Sequence, residues 1–567
     1  MPSHDRVKLP GEMIVILKQR SCTICRVRLK LLTLTLLSSI LLPLALPNEL
    51  LHDGNPVLGL FCIAPLLAAV VLSPSHRFAV LLGMIFGGLS TLLSNFWLMF
   101  FQDYTLWTLG GVTLAYVLFN AVLAPALRGF SKIVPVAWRP FGVAVVWSVY
   151  EYLKSIGFLG FPWGLIAYPV HTVLPLIQFA DITGVWGISW LMATVNAVLA
   201  EGAVRYLAPV SVPARRSIPW MNQVAVVAIF TAIAVVYGVI RIQVGFSAEK
   251  TANLLLVQQN TDTWTEGFFA ERGLLVNQRL SKAGYYEADP KPDMIVWSET
   301  SIGEDVEKHQ AKYEEWPIEK PLLPFVRTLN TYLLSGSRIE VSEERVEYMN
   351  GVVLLSPDGV VVDSYGKQHP VPFAEAIPFW EYELVRRFFR EVIHIWAPWV
   401  MGDRYTIFEI PLAQGSTLKF GTPVCFEDAF SDLCRRFILE GAELWVNLTN
   451  DYWSRTVTAE VQHFVVAKFR SIENRRVLVR STNGGVSGVV DATGRVIASL
   501  PLFTPTFMNV TVPVHTTAKL TPYTRFGDYF PRVMAAIVLL VTIWHAASSR
   551  RWKRTSLPKS PAACRGQ

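Results

Sequence analysis

The chain has 567 residues, 52% of them hydrophobic and only 17% charged, with a mean hydropathy of +0.36. That excludes an ordinary soluble globular protein and describes one that lives largely in a bilayer. The formal net charge of +7 does not argue for nucleic-acid binding, because a basic balance in a membrane chain reflects its cytoplasmic flanks.

Apolar runs approaching bilayer thickness recur through the first part of the chain. They cover Leu29 to Leu46, Pro56 to Ser73, Phe78 to Phe101, Trp107 to Leu127, Phe141 to Leu153, Gly184 to Ala200 and Val224 to Val244. The fifth is short and is expected to continue into the aromatic stretch that follows. A last run, Phe530 to Ala547, brings the expected number to about eight. The first lacks a small-residue cleavage site and reads as a retained span rather than a removed signal peptide. Lys and Arg concentrate in alternate loops: Lys18 to Lys30, Arg77, Arg128 to Arg139, Arg205 to Arg216, and the tail from Arg550. With those loops inside, the segment after Val244 lies outside.

Between Thr251 and Tyr523 the composition becomes that of a globular domain. The expected division is 1–247 membrane domain, 248–523 outer catalytic domain, and 524–567 last span with basic tail. Asn253 to Val257, Met294 to Trp297, Thr331 to Ser335 and Glu443 to Leu448 read as strands, and Phe268 to Tyr285 and Thr458 to Arg475 as helices. Val352 to Leu355 and Val360 to Asp363 form a hairpin across Ser356-Pro-Asp-Gly359. The alternation implies an α/β layered domain.

Cys425 ends a β-rich segment, Leu418 to Val424, and precedes an expected helix running to Glu440, a place where the helix dipole favours thiolate. Glu299 and Lys367 also lie at strand ends. A cysteine attacking a carbonyl needs a base, a cation for the oxyanion, and a proton for the leaving group. Glu299 fits the general base and acid, Lys367 the oxyanion, and Cys425 the acyl carrier. Lys367 would also lower the thiol pKa, Glu375 and Glu427 would orient or charge-balance the lysine, and a backbone N–H near Phe426 would complete the oxyanion hole.

Other reactive side chains read as structural. The six cysteines are scattered; Cys62 and Cys434 suit buried positions, and Cys22 and Cys25 have metal-ligand spacing with no second pair. His369 and His463 read as hydrogen-bonding residues, so no metal or cofactor is expected. Glu151 and Lys154 would pair or snorkel at a span end. Val392 to Met401, unusually apolar for a soluble domain, fits an interfacial lid or a core segment equally well.

Several motifs occur together: Phe158 to Trp163, Val257 to Asn260, Tyr365 to Glu375, Pro423 to Glu427, Asn450 to Trp453, Gln462 to Phe464 and Arg480 to Gly485. In this order they resemble the carbon-nitrogen hydrolase (nitrilase) superfamily and, over the whole chain, the apolipoprotein N-acyltransferase family. The resemblance implies a multispan α-helical bundle carrying an αββα sandwich on the periplasmic side of a bacterial inner membrane. It implies a ping-pong transfer of an acyl chain from a phospholipid, through a thioester on Cys425, to the α-amino group of a diacylglyceryl apolipoprotein. It matches Glu299, Lys367 and Cys425 to a catalytic triad and Glu375, Phe426 and Glu427 to supporting positions. Trp264 and Trp453 correspond to aromatics near the substrate. Ala374, Ser298 and Ser454 stand where the family has a glycine, a proline, and a phenylalanine with glycine. The rival readings are a membrane-tethered amidase using the same triad with water as acceptor, and a non-catalytic scaffold.

Overall fold

The computed structural model describes residues 10–101, 105–207, 220–262, 271–314, 317–342, 347–377, 379–380, 382–393, 399–516 and 519–555. Its first part is helical: α1 (Pro10–Ala45), α2 (Pro56–Gly59), α3 (Ala64–Leu72), α4 (His76–Ser94), α5 (Thr105–Ile133), α6 (Arg139–Ser155), α7 (Leu174–Ile177), α8 (Ala180–Thr183), α9 (Val185–Leu207) and α10 (Trp220–Val244). Among the described residues six helices are long and apolar enough to cross a membrane, in α1, α4, α5, α9, α10 and the C-terminal helix Tyr529–Thr555.

The other two expected spans differ from the sequence reading. Pro56 to Ser73 is broken between α2 and α3, since Pro65 at the start of α3 has no N–H to extend the ladder. Asn196 of α9 repairs the break: its Oδ1 accepts from Ile63 N and Ala64 N at 3.0 and 3.1 Å, and its Nδ2 donates to Gly59 O at 2.9 Å. Irregular backbone at membrane depth requires such partners. The helix α6 has 17 residues and does not continue into the aromatic stretch. Gly157 takes φ +78°, a conformation open to glycine, and the chain turns back so that Phe161 N donates to Lys154 O at 2.9 Å. The third run likewise stops being α-helical at Ser94, and Phe96–Phe100 forms a short 3-10 turn.

The outer domain is built from β1 (Lys250–Gln258), α11 (Glu271–Glu287), β2 (Met294–Val296), α12 (Val306–Lys312), α13 (Leu322–Leu329), β3 (Tyr332–Ser342), β4 (Glu347–Leu355) and β5 (Val361–Gly366). It continues with α14 (Glu383–Phe388), β6 (Phe408–Pro411), β7 (Thr417–Gly421), α15 (Ser431–Leu439), β8 (Leu444–Thr449), α16 (Val457–Asn474), β9 (Val477–Thr482), β10 (Gly488–Val490), β11 (Val496–Ser499) and β12 (Thr506–Val514), before α17 (Pro522–Phe526) and α18 (Tyr529–Thr555). The strands form two six-stranded sheets, β12-β1-β2-β3-β4-β5 and β11-β10-β9-β8-β7-β6.

Strand periodicity explains the layering. Leu254 and Leu256 of β1 point to the second sheet, where they meet a core with Phe420, Val446 and Val479. Leu255 and Val257 point the other way and pack with Leu274 of α11 and Phe325 of α13. The outer helix of the second sheet, α16, places Val465, Phe469 and Ile472 in the same apolar cluster as the membrane bundle. The αββα sandwich therefore sits on the bundle through one of its own helices.

Polar contacts fix that seat. Arg475, at the end of α16, donates to Asp181 Oδ2 at 2.8 Å and to Gln178 Oε1 at 2.6 Å, with both charges almost wholly buried. Arg475→Met is expected to lower stability by about 1–3 kcal/mol, because Asp181 loses its most buried partner but keeps Arg241 at 3.2 Å and the Tyr237 hydroxyl. A fall in melting temperature of the full chain would show it, and an unchanged one would deny it.

Candidate active site

Glu299 follows β2, and the close packing of β3 positions it: a Cβ on Gly336 would come within 2.6 Å of Glu299 Cα. Lys367 follows β5, and Cys425 opens a short 3-10 turn, Cys425–Ala429. These three strand ends meet at one place. Lys367 Nζ lies 3.4 Å from Glu299 Oε1 and 2.9 Å from Glu375 Oε2. Asn350 of β4 donates through Nδ2 to Glu299 Oε1 and Glu375 Oε1, each at 2.7 Å. Asn450 N donates to Glu299 Oε2 at 2.9 Å. Cys425 and Glu299 line the same cavity, close enough for each side chain to perturb the other's protonation.

The electrostatics correct one expectation. Cys425 has φ +49°, and α15 begins only at Ser431, so no long helix starts at the sulfur to favour thiolate. Burial pushes the thiol well above its ordinary value, Glu299 adds to this, and the opposing pull of Lys367 does not overcome them. The resting group is a thiol. Burial also raises Glu299, against Lys367. Burial alone would depress Lys367, but Glu375 and Glu299 hold it above its usual range, so it stays an ammonium.

Glu427 plays a different part from the one expected. Its carboxylate accepts from Gln368 N, His369 N and Val424 N at 2.6, 2.9 and 2.7 Å, and from Tyr365 Oη at 3.0 Å. It ties the lysine loop to the cysteine loop, and Glu375 alone of the pair reaches the ammonium. Burial pushes Glu427 up to about 7, with those backbone donors opposing.

Behind Cys425 lies a buried charged network that the sequence did not disclose. His463 of α16 bridges Asp428 Oδ1 at 2.9 Å and Asp451 Oδ2 at 2.8 Å, while Arg480 Nη2 approaches Asp451 Oδ2 at 3.3 Å. One aspartate follows the cysteine and the other follows Asn450, so the imidazolium joins the two loops that hold Cys425 and Glu299. Burial disfavours its charge, but Asp451 and Asp428 outweigh this and raise His463 to about 9. With the folded value above the unfolded one, the stabilisation is complete below about 6.5 and is lost as pH rises through about 9, on the order of 3 kcal/mol in all. Melting temperature measured from pH 6 to 10 should fall on the alkaline side in the wild type, and His463→Gln should flatten that limb.

The membrane domain supplies the other wall. Glu151 and Lys154 are buried rather than snorkelling: Glu151 Oε1 accepts from Ile166 N at 2.8 Å, and Lys154 Nζ donates to Trp163 O at 2.5 Å. The loop they hold stacks Trp163 on Phe426, ring centroids 5.5 Å apart, and sets it 5.4 Å from His463. Trp97 and Phe101, read as part of a span, pack against Trp453 at 5.8 and 5.1 Å. Gln462 accepts from Trp97 Nε1 at 3.2 Å and donates to Pro47 O at 2.9 Å. Together they enclose a cavity of about 480 Å³, with Glu299, Lys367 and Cys425 on one side and Trp97, Phe161, Trp163 and Trp453 on the other.

Trp264 lies outside the described residues, as do 394–398 of the apolar segment; of its ends, Val392 and Met401 are exposed. Cys62 and Cys434 are buried. Asn350 carries no sequence signal. The Asn450-Asp451 and Gln462-His463 pairs were visible only as motifs.

Residues 38–198 match the apolipoprotein N-acyltransferase N-terminal domain family, and residues 246–521 the carbon-nitrogen hydrolase family. The chain is 37% identical to apolipoprotein N-acyltransferase 2 of Treponema denticola, over 90% of this chain and 96% of that one. It is 35% identical to apolipoprotein N-acyltransferase 2 of Treponema pallidum, over 94% and 98%. To the apolipoprotein N-acyltransferase of Borreliella burgdorferi it is 29% identical, over 89% and 94%.

Proposed function

The chain belongs to the apolipoprotein N-acyltransferase family, and from that premise we infer that it moves an acyl chain from a membrane phospholipid to the α-amino group of a diacylglyceryl-cysteine lipoprotein. The observation that carries this reading is the meeting of Glu299, Lys367 and Cys425 in a cavity whose facing wall is aromatic, with Trp97, Phe161 and Trp163 from the membrane domain and Trp453 from the outer domain.

Glu299 takes the Cys425 proton as sulfur attacks the ester carbonyl of the phospholipid. Lys367 stabilises the oxyanion, with the backbone N–H of Phe426 as its partner donor. Collapse breaks the carbon–oxygen bond, the lysophospholipid alkoxide takes the proton back from Glu299, and the acyl group remains as a thioester. The lipoprotein amine then attacks the thioester carbon, Glu299 accepts its proton, and the amide forms as the thiol is restored. Asn350 and Asn450 orient the base throughout, and Glu375 holds the ammonium.

Both substrates are anchored in the bilayer, which suits an outer domain seated on the bundle by α16 with its site open toward apolar side chains. We assign 1–247 to the membrane domain, 248–523 to a periplasmic catalytic domain and 524–567 to the last span and tail, in a bacterial inner membrane. The loop charges support that orientation.

Intact-mass analysis tests the function. Incubation with phospholipid should add one acyl group to the wild type and none to Cys425→Ala, and a diacylated lipopeptide amine should discharge it. Discharge by water at the same rate without the lipopeptide would instead favour the amidase reading.

A further inference from the structure

A second cavity, of about 540 Å³, shares no lining residue with the catalytic one. His369, Phe426 and Phe430 stand between them, with the His369 ring 3.8 Å from Phe430 and 5.9 Å from Phe426. Its lower wall is made by the outer ends of membrane helices, with Tyr152 of α6, Trp186 of α9 and Arg532 of α18; its upper wall includes Arg436 of α15. The cavity therefore lies at the level where lipid headgroups meet the outer domain.

Three arginines line it: Arg470 is buried in an ion pair with Glu473, while Arg436 and Arg532 come one from each half of the protein and have spare donors. Arg436 Nε reaches Asp432 Oδ2 at 3.1 Å, but the same carboxylate is taken by Arg435 Nη2 at 2.7 Å, so two cations share one anion. Arg532 donates to Tyr152 Oη at 3.4 Å and enters none of the ion pairs among the described residues. The one other carboxylate on the lining, Asp528, accepts from Trp186 Nε1 at 2.8 Å and Tyr523 Oη at 3.0 Å. Beside the cavity α6, the turn after it and α18 present bare apolar side chains: Leu153 and Leu159 are 60% exposed, and Val533 is 51% exposed. Fixed positive charge next to an uncovered apolar helix face matches a molecule with an anionic head and hydrocarbon tails.

We propose that this cavity binds the phosphate of a membrane glycerophospholipid between Arg436 and Arg532, with its chains along the exposed faces of α6 and α18. The lipid is a resident, not the acyl donor. It bridges the outer domain to the last span next to the loop that carries Lys367, and it stands apart from the catalytic reading.

An ether-linked dialkyl phosphatidylglycerol, which has no ester to donate, separates this site from catalysis. Native mass spectrometry of the full chain titrated with it should give binding that weakens at least about tenfold in R436A/R532A, the loss of two charge-assisted contacts. R436A and R532A alone should each show a smaller loss, so the result does not hang on the double variant folding. R436K/R532K should retain most of the binding, and Glu299→Gln should leave it unchanged. Wild-type affinity in R436A/R532A overturns the proposal, as does equal competition by inorganic phosphate, which would assign the site to a free anion.

Discussion

Glu299→Gln is expected to lower acyl transfer by about 10²- to 10⁴-fold while the protein stays folded, the range for loss of a positioned general base. The reason is the state of the sulfur. Burial holds Cys425 well above its ordinary value, so the nucleophile must lose its proton during the attack, and the Glu299 carboxylate, lining the same cavity and near enough to perturb the sulfur, is the acceptor. The substitution also removes a negative charge that opposes thiolate, so it should slightly raise the thiolate fraction while abolishing the proton acceptor. Those two effects oppose each other, which makes the experiment decisive. Single-turnover acylation of Cys425, followed by mass, should collapse; undiminished acylation would mean that a resting thiolate, not a base, starts the reaction. Alkylation by iodoacetamide gives a second reading, since Cys425, on the cavity wall, should react faster than the buried Cys434 in the wild type.

Lys367→Met should be both inactive and unstable. Its ammonium pairs with two carboxylates, the buried Glu299 and the partly buried Glu375, whose other donors are neutral: the shared Asn350 amide, Asn450 N and Val371 N. Leaving them unpaired costs about 3–5 kcal/mol, or else forces one to take up a proton, and a protonated Glu299 is no base. The folded Lys367 is held above its ordinary value, so its stabilisation is complete below the unfolded lysine value and is lost only as pH rises through the higher folded one. The defect should therefore be the same across the neutral range. Lys367→Arg separates the two roles: it should restore most of the melting temperature and little of the rate, because a planar fork does not replace a point charge aimed at one oxygen. Full activity in Lys367→Arg would argue against a specific oxyanion contact.

How far the sequence could be read follows from what each signal depends on. Strands that are continuous apolar runs, such as Leu254 to Val257, were legible because both faces are buried and each has its own core. The short β10 and β11 were not, since three or four residues carry no period. The break between α2 and α3 looks in sequence like one apolar run, because what permits it is Asn196, over a hundred residues away. Glu299, Lys367 and Cys425 were legible as strand-end residues of complementary chemistry. The state of the thiol was not, as burial has no local signature. Glu427 was expected to orient or charge-balance the lysine; it does not reach the ammonium but accepts from backbone N–H groups, two of them in the lysine loop, that only the turn geometry brings within reach.

The stack of Trp163 on Phe426 and beside His463 makes the geometry of the nucleophile's turn depend on the bilayer half of the protein. A side chain from the bilayer half serves as the floor beneath the nucleophile's turn, so neither half is a free-standing module. A chimaera joining this outer domain to another protein's bundle would misplace the turn, unless the loop at 158–163 travelled with it. Changes at 163, 426 and 463 should accordingly be tolerated in concert and rejected one at a time.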